Sequence, residues 1–93
     1  MRLTYAQVRS TATSLVKKFY QAHHQRISVL IYKDYGGCYQ HKILENGCNI
    51  CYTSLKAIVS PDAQGNIVTN VSRETIASTL ELYNINFIYF KME

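Results

Sequence analysis

The sequence predicts an α+β fold: an antiparallel sheet of about five strands with two helices packed on one face, in the order α-β-β-β-β-α-β. Three observations carry this. Apolar residues recur at helical spacing near the start, at Val8, Ala12, Leu15, Val16 and Phe19. A second helical stripe follows late in the chain, at Ile76, Leu80 and Tyr83. Between them, β-rich runs are punctuated by the turn signals Gly36-Gly37 and Asn46-Gly47.

The first helix is expected from Thr4 to about His24. Thr4-x-x-Gln7 fits a capping box, in which a hydroxyl and an amide side chain satisfy free backbone N–H groups reciprocally. Ile27 to Asp34 reads as a strand, and Gly36-Gly37 as a two-residue hairpin turn leading to a strand from Cys38 to Glu45. Asn46-Gly47 is expected to turn the chain into a third strand, Cys48 to about Val59. Ser60 to Asn66 is a loop, and Ile67 to Val71 a short fourth strand. Ser72 caps the second helix, with Glu74 in its first turn where the helix dipole favours a negative charge. Ile85 to Met92 is apolar on both faces and is expected as a central or doubly covered strand.

Composition bounds the class. The chain has 93 residues, 47% hydrophobic and 17% charged, which fits one folded domain spanning 1–93. No apolar run approaches a membrane span, and no apolar leader follows Met1, so a cytoplasmic protein with three free thiols and no membrane contact is expected. Charge is uneven. Residues 1–56 hold eight basic and two acidic side chains, a net +6, whereas residues 57–93 hold two basic and four acidic ones, a net −2. A basic half suits an acidic protein surface, a nucleoprotein complex or nucleic acid itself. The eight tyrosines add amphipathic rings of the kind binding surfaces favour.

One cluster invites metal chemistry. Cys38-x2-His41-x6-Cys48-x2-Cys51 has the look of four zinc ligands. Two-residue turns at both glycine signals would place Tyr32 opposite His41, Leu30 opposite Ile43 and Ile31 opposite Lys42. In that register Cys38 and Cys51 share a face roughly 13 Å apart, and His41 points the other way. The expectation is therefore no metal and no cofactor. It also leaves His41 beside tyrosines rather than a thiol, which argues against a Cys–His nucleophile. No phosphate loop, carboxylate pair or nucleotide fingerprint is present, so enzyme activity is not expected.

The same register gathers Ile31, Lys33, Gln40, Lys42 and Leu44 on an outward face, with Tyr35 at the hairpin tip. These form the expected partner-binding strip, and Lys17 and Lys18 on the first helix a second basic patch. A second copy of the chain is a further candidate occupant of that face. The order helix, three-strand meander, helix resembles the double-stranded RNA-binding domain. That family carries a lysine cluster at the start of its second helix, where this chain reads Ser72-Arg73-Glu74-Thr75, and the added strands also depart from it. The chain is assigned to no family on these residues. The leading expectation is a small non-enzymatic binding protein that occupies a surface of a larger partner, with the profile, though no shared residues, of a phage-type inhibitor of host defence (anti-CRISPR-like) or nucleic-acid machinery. Direct nucleic-acid binding through Arg9, Lys17, Lys18, Lys33 and Lys42 is the alternative, and a small site around His41 the third.

Overall fold

Thr4 opens helix α1 (Tyr5–His23) in the computed structural model, which describes residues 2–50, 54–85 and 91–93. The Gln7 amide donates to the Thr4 hydroxyl at 3.2 Å, and the Thr4 amide donates to the Gln7 side chain at 2.8 Å, so the expected capping box is present. The helix stops at His24, whose left-handed φ of 51° lets its N–H reach the Tyr20 carbonyl at 3.1 Å. Val8, Ala12 and Val16 are buried, with Tyr5 and Phe19 half-buried beside them.

Strands β1 (Val29–Lys33), β2 (Tyr39–Ile43), β3 (Ser54–Pro61) and β4 (Ile67–Asn70) follow, then helix α2 (Arg73–Leu82), capped by the Ser72 hydroxyl. Among the described residues the sheet has four antiparallel strands in the order β2-β1-β3-β4. Most of the expected last strand falls on residues 86–90, outside the described residues. Its end is seen at Met92, which makes a parallel bridge to Leu55. Leu55 N–H donates to the Lys91 carbonyl at 2.8 Å, and Glu93 N–H to the Leu55 carbonyl at 2.9 Å.

Three features differ from the sequence expectation. First, the helices do not share a face. Val29 and Ile31 pack under α1 with Ala57 and Val59, whereas Leu30, Leu55 and Ile58 pack under α2 with Ile76 and Leu80. Val29, Leu30 and Ile31 are all fully buried. A strand apolar on both sides belongs in the centre of a sheet covered on both sides.

Second, β2 is not followed by its neighbour. Asn46-Gly47 does form a tight turn, with Gly47 at φ 75° and Cys48 N–H donating to the Glu45 carbonyl at 3.2 Å. The turn does not join adjacent strands. It docks on the end of α2, where Gly47 N–H donates to the Tyr83 carbonyl at 2.8 Å and Asn84 Nδ2 donates to Asn46 Oδ1 at 2.9 Å. Leu44, Cys48 and Ile50 then pack into the α2-side core as the chain crosses to β3. The three-strand meander behind the RNA-binding-domain resemblance is absent.

Third, the β1–β2 register is one residue away from the expected one. Ile31 lies opposite His41, Tyr32 opposite Gln40 and Lys33 opposite Tyr39. Asp34 is the reason. Its Oδ1 accepts from the amides of Gly36 at 2.9 Å and Cys38 at 3.0 Å, and its carbonyl accepts from Gly37 at 3.1 Å. Gly37 takes φ 79°, so the loop is a three-residue one closed by a left-handed glycine.

Candidate anion-binding surface on the first-helix side

A bulge in β3 builds this surface. Ile31 pairs with Ala57 but Tyr32 pairs with Leu55, which leaves Lys56 as an extra residue. A bulge of this type re-aims the side chain it carries. Leu55 keeps its place under α2, and Lys56 turns to the other side, where its Nζ lies 5.0 Å from the centre of the Tyr5 ring.

Tyr5 is the hub. Arg9, one turn along α1, lies over the same ring at 5.5 Å, and the Tyr39 ring is 5.7 Å away in a tilted contact. Lys33 lies over Tyr39 at 5.0 Å. Each ring holds an ammonium or guanidinium by its electron-rich face, fixing cations that would otherwise sweep through solvent. Arg2 borders the group, donating to the Gly36 carbonyl at 3.3 Å. One carboxylate sits among them. Glu93 Oε1 accepts from the Tyr39 hydroxyl at 2.5 Å and lies 3.1 Å from Lys33 Nζ.

Proton affinities follow this geometry. The Glu93 hydrogen bond, then its charge, holds the Lys33 ammonium above its ordinary range. The same hydrogen bond, followed by burial, raises the Tyr39 phenol. For Glu93, burial pushes the carboxyl up, but hydrogen bonds from Tyr39 and Lys33 and the charges of Lys33 and Lys56 outweigh it, so the group lies below the usual carboxylate range. Asp34 is also lowered, first by the Cys38 amide and then by the Gln40 side chain.

The positive charge continues along α1. Arg9, Lys17 and Lys18 are its charged side chains, and no acid lies between Tyr5 and His23. Lys17 and Lys18 flank shallow grooves with Ser14, Gln21 and Ala22 on the outer side of the helix. No family model matches the chain, and no curated protein or solved structure is significantly similar to it.

The expected partner strip is not one surface. Ile31 is fully buried under α1 and Leu44 is buried on the α2 side. The register puts Lys33 on the α1 side, beside Tyr39, and Lys42 opposite Leu30, on the α2 side. They are not diagonal neighbours. Gln40 donates to Asp34 Oδ2 at 3.0 Å, and Tyr35 stands 78% exposed at the hairpin tip. Lys17 and Lys18 are exposed as expected.

The candidate metal ligands also separate. His41 is exposed on edge strand β2, on the α1 side, while half-buried Cys48 packs with the α2-side core. Cys38 is half-buried at the hairpin, and Cys51 lies outside the described residues. Among the described residues no three His, Cys, Asp or Glu side chains gather at metal-binding range. Tyr32, expected beside His41, lies opposite Gln40 on the other face.

Sequence reasoning missed Tyr5, Tyr39, Lys56 and Glu93. One signal was present for Lys56. In Leu55-Lys56-Ala57-Ile58-Val59 the alternation of apolar residues breaks once, which is the mark of a bulge.

Proposed function

We propose that this protein is a small non-enzymatic binding protein that attaches through its α1 side to an anionic surface of a larger macromolecule. The observation that carries the reading is how charge is sorted between the layers. Arg9, Lys17 and Lys18 project from an acid-free α1, and the bulge turns Lys56 to join them. On the opposite layer, α2 carries Glu74 and Glu81 with one base, Arg73. Such a one-sided field steers an anionic partner and fixes its orientation. The mode of action is occupancy: covering a surface that a larger assembly needs, as phage-type inhibitors of host defence or nucleic-acid machinery do.

Charge reversal tests it. K17E with K18E is expected to fold normally, because exposed lysines contribute little to stability, and to lose the stoichiometric complex that the wild-type chain forms with its partner. An unchanged complex would move the interface off α1.

A further inference from the structure

We infer that Lys33, Lys56 and the Tyr39 hydroxyl form a phosphate site for nucleic acid, and that Glu93 occupies it in the free protein as an internal stand-in for the phosphate. This rests on the reading that the α1 side meets an anionic partner, and it names that partner's chemistry.

Two donors converge on one carboxylate, and a third cation, Lys56, stands nearby over the Tyr5 ring. The Tyr39 hydroxyl is 2.5 Å from Glu93 Oε1 and Lys33 Nζ is 3.1 Å from it, with Lys56 close enough for its charge to act on the carboxyl. A hydroxyl and an ammonium on one oxyanion, with a second ammonium nearby, are a donor set that a phosphodiester takes. The donors are pre-positioned, since Lys33 rests on the Tyr39 ring and Lys56 on Tyr5. The carboxylate is held lightly. The Lys33 and Glu93 side chains keep 33% and 23% of their surface in water, and an ion pair so exposed is weak. A phosphate can displace it by a swing of the Glu93 side chain. Even with Glu93 seated, the corner gathers four cations, Arg2, Arg9, Lys33 and Lys56, around the carboxylates Glu93 and Asp34, and its balance stays positive among these residues.

The extent of the positive surface favours nucleic acid over an acidic protein. Arg9 and Lys17 are eight residues apart on one helix, roughly 12 Å at 1.5 Å per residue. That separation spans more than one phosphate of a repeating backbone. The outer side of α1 supplies Ser10 and Ser14 between them and Gln21 one turn beyond, neutral donors of the kind that position phosphates, and no acid that would repel them. Both tyrosine rings already carry cations, so the contact is to the backbone rather than to stacked bases.

The test measures binding of fluorescein-labelled mixed-sequence DNA and RNA duplexes by anisotropy across a salt series, with poly-glutamate as the competing polyanion. E93Q is expected to bind at least one duplex about threefold or more tighter than wild type, because it removes the internal competitor's charge and keeps its shape. K56Q is expected to weaken binding and to reduce the salt slope by about one. Circular dichroism confirms that each variant is folded, and E93Q and K56Q predict opposite signs, so a general loss of structure cannot imitate the pattern. Duplex binding that is lost in K17E/K18E but unmoved by E93Q and K56Q would overturn the phosphate site while leaving the α1 reading in place. Poly-glutamate competing as well as the duplex would overturn the choice of nucleic acid. Absence of binding to any of these polyanions would overturn both.

Discussion

The Tyr39 hydroxyl donates to Glu93 Oε1 at 2.5 Å, tying the edge strand β2 to the last residue of the chain across β1 and β3. Lys33, on the strand between, completes the clamp. Its pH behaviour follows from the direction of each shift. Glu93 is depressed, so its contribution is present above the ordinary carboxylate range and is lost as pH falls through its folded value. Lys33 and Tyr39 are raised, so theirs are present at neutral pH and lost as pH rises through their folded values. E93Q should therefore cost little, about 0.5 kcal/mol at neutral pH, and should flatten the loss of stability that wild type shows below about pH 4. Urea midpoints at neutral and acid pH check this. Parallel acid profiles would show that Glu93 has no part in it.

Leu80 and Leu82 lie two residues apart on α2 with opposite surroundings: Leu80 is fully buried and Leu82 is 80% exposed. Leu80→Ala should cost about 2–5 kcal/mol, and Leu82→Ala about 0.5 kcal/mol or less. Phe19→Ala should fall below Leu80→Ala, because Phe19 is only partly buried at the rim of the α1 core. Denaturant unfolding of the three variants checks the order.

Gly47 and Gly65 both require left-handed backbone, at φ 75° and 86°. A methyl at Gly47 meets nothing within 4 Å, whereas at Gly65 it would lie 2.6 Å from the Tyr20 hydroxyl. Gly47→Ala should cost about 1–2 kcal/mol from the backbone alone. Gly65→Ala should cost more, and the excess should vanish in a Tyr20→Ala background. A double-mutant cycle with no coupling between Gly65 and Tyr20 would refute the contact.

Thr4→Ala removes the hydroxyl of the α1 capping box and should cost about 1 kcal/mol; Ser72→Ala, which removes the α2 cap, should cost a similar amount. Thermal melts of both variants test whether each cap supports the whole fold or only a frayed end.

Local chemistry made part of this protein legible in its sequence. The Thr4–Gln7 box, the helical stripes of both helices, the Ser72 cap and strand β4 rest on contacts between residues a few positions apart, and all are found in place. Lys17 and Lys18 follow from the same periodicity. One further decision was local but went unread, and two were tertiary. The Asp34 side chain set the hairpin loop at three residues, and because strand side chains alternate, that one step moved Lys33 and Lys42 to opposite faces. The burial of Val29, Leu30 and Ile31 on both sides drew β1 to the centre, sent the chain beyond Asn46-Gly47 across the sheet and divided the helices between its faces. The bulge at Lys56 and the return of Glu93 beside Leu55 brought together Tyr5, Tyr39, Lys33, Lys56 and Glu93. The sequence separations are long, 34 residues for Tyr5–Tyr39 and 54 for Tyr39–Glu93. No spacing rule reaches across such distances, because what closes them is burial of the strands between.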